Sequence, residues 1–153
     1  MKLINVFFFA LILMTFGACN NSGNNAASAE EKAAQLAAEQ ALWGETMTIH
    51  DKAMNLMGGI NNLKTMLSEQ IEKSQDEAAV TVAKMAIDNL DKADEGMMEW
   101  MSNLQKLEDL RKEKSHEEIM TYLQEQKEAA TQIAEDITTS QVNGKKALKP
   151  FFE

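Results

Sequence analysis

From Cys19 to Lys149 the chain carries no proline; its single proline is Pro150. Proline is the residue that most reliably ends a helix, because it lacks the N–H donor and its ring clashes with the preceding turn. A proline-free run of this length permits very long helices. Composition agrees: glycine is 7 of 153 residues and aromatics are 6%, a mix poor in the turn and strand formers that β architectures need. Hydrophobic residues at 44% and charged residues at 25% are ordinary for a folded chain, which argues against wholesale disorder.

The apolar spacing then divides the run. Ala79, Ala83, Ala86, Leu90, Ala93, Met97, Trp100, Leu104 and Leu107 recur three or four residues apart, with Ile87, Met101 and Leu110 widening the stripe. That is the period of one buried helix face. A second stripe runs through Ile119, Leu123, Ala130, Ile133 and Ile137, with Gln126 as a polar gap. Ahead of both, Trp43, Met47, His50, Met54 and Met57 share a face that resumes after Gly58-Gly59 as Ile60, Leu63, Leu67 and Ile71. The glycine pair marks a kink or a close helix–helix approach. Ser28…Glu31, Ser74…Glu77 and Ser115…Glu118 each have capping-box spacing, and Gly144 followed by Lys145 and Lys146 reads as a helix stop.

These signals predict an all-α chain. It is an antiparallel up-down-up three-helix bundle with coiled-coil-like packing, over about 46–73, 75–112 and 116–143, because short links force antiparallel neighbours. The alternative is a long helical hairpin that completes its core by oligomerising. The Ala-rich stretch 29–45 has high helix propensity but a thin apolar face, so it is expected as a stalk ahead of the bundle, and 145–153 as a tail.

The N-terminus carries an address. Lys2 precedes an apolar run from Ile4 to Phe16, too short to span a bilayer and right for a signal-peptide core. Small residues Gly17-Ala18 stand before Cys19, the only cysteine, in the manner of a bacterial lipoprotein cleavage box. Residues 1–18 are therefore expected to be removed and Cys19 to carry lipid, several acyl chains giving a firm anchor where one is marginal. Asn20 to Ser28 has no large apolar residue and is expected to be a flexible tether. No acidic residue follows Cys19 closely, which favours an outer-membrane position facing the periplasm.

Charge limits the partners. The net charge is −9; removal of residues 1–18 takes away one lysine and no acid, leaving 14 basic and 24 acidic side chains. Nucleic acid is disfavoured, since phosphates would be repelled, and the lipid rather than the protein surface must hold the chain to a membrane. A lone cysteine excludes an internal disulfide and a four-Cys zinc site.

Several segments are similar to one family. His50-Asp51-x-Ala53-Met54-x-x-Met57, Leu63-Lys64, Ala93-Asp94-Glu95-Gly96-Met97-Met98-Glu99-Trp100-Met101 and Gly144-Lys145 resemble small bacterial helical lipoproteins that often bear the label "viral A-type inclusion protein", a label owed to helix-rich composition. The resemblance spans roughly residues 43–148. It implies an exported helical lipoprotein and transfers no catalytic residue.

No catalytic set is expected. His50 and His116 sit in no triad or metalloprotease motif, and His116 reads as exposed and structural. Asp51 and Asp94 read as surface partners of lysines or caps. The leading expectation is a non-enzymatic envelope lipoprotein that meets another envelope protein or itself, with no cofactor. Two alternatives follow from the methionines. An antiparallel turn near Ser74 brings residue 50 opposite 98 and 47 opposite 101. Met47, His50 and Met54 then meet Met97, Met98, Met101 and Trp100, a thioether and imidazole layer suited to Cu(I) or Ag(I). The ordinary reading of that layer is core packing, with His50 bonded to Asp94 or Glu95. The other alternative is a chaperone-like module that cradles exported chains in a Met-lined groove.

Overall fold

The computed structural model describes residues 22–152, with side chains from Ser28 onward. The expected signal peptide (1–18), the expected lipid attachment at Cys19 and the first residues of the expected tether lie outside the described residues. Within them the chain is all-helical and four α-helices pack together: α1 (Ser22–Lys73), α2 (Glu77–Asn103), α3 (Leu107–Glu113) and α4 (His116–Leu148), followed by a 3-10 turn at Lys149–Phe151.

Helix α1 runs unbroken for 52 residues, about 78 Å at 1.5 Å per residue. The expected tether is therefore helical from Ser22, and Ser28 lies inside the helix rather than at its cap. The glycine pair does not break it either. A Cβ on Gly59 would stand 3.0 Å from Oε1 of Gln141, and Gln141 Nε2 donates to the Leu56 carbonyl at 2.6 Å. Gly59 thus gives room to the end of the Gln141 side chain rather than to the backbone of α4. Gly58 faces open space, with nothing within 4 Å of the point where a methyl group would stand. Gly58→Ala should therefore stabilise by roughly 0.8 kcal/mol, the helix-propensity difference, read as a higher thermal-unfolding midpoint by circular dichroism; a lower midpoint would contradict this placement.

The pairs between helices fix their directions. His50 with Trp100 and Lys64 with Asp91 run in opposite senses along α1 and α2. Glu39 with His116, Glu45 with Lys127 and Leu56 with Gln141 run in the same sense along α1 and α4. Ala53, Ile60, Leu63 and Leu67 of α1, Ala83, Ala86, Leu90, Ala93, Met97 and Trp100 of α2, and Ala130 and Ile137 of α4 form the main core.

Several expectations about the elements are corrected. The helix expected over 75–112 is interrupted: Leu104 takes an extended conformation, and Gln105 N–H donates to the Tyr122 hydroxyl at 2.8 Å. The chain turns there, and α3 places Leu107 and Leu110 in a second core with Ile119 and Leu123, flanked by Leu42, Trp43 and Tyr122. The stretch 29–45 is accordingly not merely a stalk, because its last turns close that second core. Gly144 does not stop α4. A Cβ there would meet Leu90 Cδ1 at 3.3 Å and Leu63 Cδ1 at 3.4 Å, so the glycine lets three helices converge. Of the three capping boxes, the structure forms the one at Ser115–Glu118. Helix α2 is capped instead by Asp76, whose carboxylate accepts from Ala78 and Ala79 N–H at 3.0 and 3.1 Å. Ser74 supports it from outside, accepting from Asp76 N–H. An aspartate also brings a negative charge to the positive end of the helix dipole, which a serine lacks.

Candidate functional site

Two side-chain clusters carry more chemistry than packing requires. The first lies on the seam between α1 and α2 and contains the residues that the sequence singles out. His50 is half-buried on α1. Its ring centroid is 5.7 Å from that of Trp100, at an interplanar angle of 32°. Its Nδ1 lies 2.9 Å from Asp51 Oδ1. The partner is thus neither Asp94 nor Glu95, and Asp51 serves the histidine rather than a lysine. A carboxylate can only accept, so Nδ1–H donates to it, and in the neutral ring Nε2 then keeps its lone pair for another partner. Trp100 Nε1 is buried without a hydrogen-bond partner, a cost of about 1–3 kcal/mol.

The methionines divide. Met97 is fully buried in the main core and fills space there. Met54, Met98 and Met101 are 37%, 56% and 39% exposed, so core filling does not explain them. Met47 is half-buried. On α2 the row Asp91, Asp94, Met98, Met101 follows one flank at alternating three- and four-residue steps, and the ion pair of Asp91 with Lys64 turns that flank toward α1. The charge of Asp94 also acts on Lys64, whose ammonium is held above its usual range, first by the Asp91 hydrogen bond. On α1, Met54 stands one turn beyond His50. Helical spacing therefore sets the exposed thioethers along the same seam as the His50 imidazole and the buried Trp100 indole. Among the described residues no three His, Cys, Asp or Glu side chains gather as a metal cage; thioethers are a different class of donor.

The second cluster escaped sequence reasoning. Glu39, 3% exposed, accepts from Arg111 Nε at 2.7 Å and pairs with His116 Nδ1 at 2.9 Å. Arg111 also donates to the Leu36 carbonyl at 3.2 Å. One carboxylate thus ties α1, α3 and the first turn of α4. Burial alone would push the Glu39 carboxyl up. The hydrogen bonds from His116 and Arg111, with their charges, outweigh it and hold the group below its ordinary value. His116, expected as exposed, is half-buried and bonded here. The one available signal was a glutamate one turn from the Leu42–Trp43 pair in an otherwise alanine-rich stretch, and nothing local says that it turns inward.

A cleft of about 380 Å³ between α2 and α4 is lined by Asn89, Lys92, Asp136 and Asn143 among others. None of the expected site residues borders it. No described helix is long and apolar enough to cross a membrane. No protein-family model matches the chain, and neither a curated protein nor a solved structure matches it.

Proposed function

We propose that this chain is a lipid-anchored, non-enzymatic helical lipoprotein of the bacterial cell envelope. It presents an acidic rod-shaped body to another envelope protein or to a second copy of itself. The observation that carries this reading is α1. One helix continues from three residues past Cys19 to Lys73, so an acyl anchor at Cys19 would be joined to the body by a rod. That rod is braced at Glu39 to the corner between α3 and α4. The three long helices α1, α2 and α4 are read as an up-down-up bundle with coiled-coil-like packing, α3 being its corner. The similarity of residues 43–148 to small helical lipoproteins points the same way.

The buried stripes on α2 and α4 favour this reading over a chaperone-like cradle. Ala79 through Trp100 and Ile119 through Ile137 commit their apolar stripes to each other and to α1, which leaves side chains at the rim, not the stripes, for an exported chain to contact.

The anchor is testable directly. Metabolic labelling with radioactive palmitate should mark the wild-type protein and leave Cys19→Ala unlabelled, with the variant moving from the membrane fraction to the soluble fraction. An unlabelled wild-type chain would remove the anchor. Site-specific photocrosslinkers on exposed positions of α1 and α4 should then capture a discrete neighbour in native membranes; background adducts alone would remove the interaction role.

A further inference from the structure

We propose that the outer lip of the α1–α2 seam is a binding site for a soft monovalent cation, Cu(I) or Ag(I), held by His50 Nε2 and the thioethers of Met54, Met98 and Met101. The site does not depend on the anchor and can be tested apart from it.

Four observations converge on it. Three methionines are exposed, and helical spacing from the His50–Trp100 and Lys64–Asp91 pairs sets them along one seam, where a thioether gains little from water. His50 is oriented as metal-bound histidines are. Its Nδ1–H is given to the Asp51 carboxylate at 2.9 Å, which fixes the tautomer and makes Nε2 a better donor. The ring is steadied by Trp100 at 5.7 Å, so it cannot swing freely away. Asp51 on α1 and Asp91 and Asp94 on α2 border the seam against the ammonium of Lys64, an excess of negative charge that raises the local concentration of a cation. Thioether and imidazole donors select a soft ion over Mg(II), Ca(II) or Mn(II), which prefer oxygen.

Relative to the set expected from spacing alone, two residues drop out. Met97 is committed to the core. Met47 is half-buried, unlike the three exposed methionines. The remaining donors number four, one imidazole and three thioethers, enough for a three- or four-coordinate monovalent ion.

The test uses the full chain in detergent carrying Cys19→Ser, so that no thiol competes, with methyl-labelled methionine. Ag(I) serves as a redox-inert probe, titrated against a competing chelator. The expected result is saturation at one equivalent, with the methyl signals of Met54, Met98 and Met101 shifting while those of Met66 and Met85 stay. Those two are exposed methionines outside the seam, at 45% and 64%. Met98→Leu with Met101→Leu should weaken binding at least tenfold, as should His50→Gln, while Met66→Leu with Met85→Leu should leave it unchanged. The leucine replacements sit at exposed positions and keep apolar bulk, so far-UV circular dichroism should be that of the parent. Shifts spread evenly over every exposed methionine, no saturation, or an affinity indifferent to His50 would each overturn the proposal.

Discussion

Replacing Glu39 with alanine should destabilise the protein by about 3 kcal/mol, at the lower end of the cost of breaking a buried ion pair, because Arg111 and His116 keep partial access to water. For a chain of this size that is a fall of roughly 10 °C in the thermal midpoint. The cause is not the loss of attraction alone. Arg111 and His116 side chains are 26% and 24% exposed, so once the carboxylate is gone both polar heads sit in a partly dry pocket with fewer partners. Glu39→Gln should cost less, since an amide oxygen still accepts a hydrogen bond. The loss should be local first: amide exchange should accelerate in α3 and in residues 36–43, where the second core depends on this tie. A midpoint within about 2 °C of the parent, small against the expected shift, would show that the cluster is an ornament of the surface.

The pH dependence of the same group has a definite sign. Glu39 is held below its ordinary value of 4.5 in the folded state. The unfolded chain therefore binds its proton more readily, and the stabilisation is fully present above about pH 4.5. It is lost as pH falls through the lowered folded value. The parent should accordingly show a steeper loss of stability on acidification below about pH 4.5 than Glu39→Gln does. Parallel denaturant curves at about pH 7 and about pH 3 check this; equal slopes would mean that the carboxylate is not held by its partners.

Leu90→Ala should have an effect of similar or larger size, about 3–4 kcal/mol, the usual cost of emptying a fully buried leucine site. Leu90 has no solvent exposure, and its Cδ1 lies 3.3 Å from where a Gly144 side chain would begin. The two positions should therefore couple. Gly144→Ala alone should be close to neutral: it gains about 1 kcal/mol of helix propensity and loses a similar amount by pushing Leu90 and Leu63 aside. In the Leu90→Ala background the same methyl enters vacated space and should recover about 1 kcal/mol. Urea unfolding midpoints at constant slope measure all four corners of this cycle. Strict additivity would mean that α2 and α4 are not in contact at this point.

What could be read from the chain depended on where information is local. The stripes at Ala79 to Trp100 and Ile119 to Ile137 declare buried helix faces because each face needs only its own spacing to be recognised. Ser115 and Glu118 form their box because both donors and acceptors lie within one turn. By contrast, the break at Leu104 continues an apolar stripe without interruption, and Tyr122, seventeen residues on from Gln105, supplies the partner for its N–H. Gly144 reads as a stop until the side chains of Leu63 and Leu90 are seen against it.

The candidate seam was half legible. The antiparallel register that brings His50 toward residues 98–101 follows from a turn near Ser74. Which methionines enter the core and which stand at the rim depends on how far α1 and α2 roll against each other. The partner of His50, Asp51, is its neighbour in the chain, a local pair that helical spacing alone does not single out.

By itself, the sequence determined that this chain is helical and where its oily faces run, because hydrophobic period and proline-free length are properties of the chain alone. Tertiary structure decided that Glu39 is buried, that the second rod breaks at Leu104, that α4 passes through Gly144, and that Met54, Met98 and Met101 face water. Each of those depends on atoms that meet only when distant segments pack, and a short-range pattern carries no record of them.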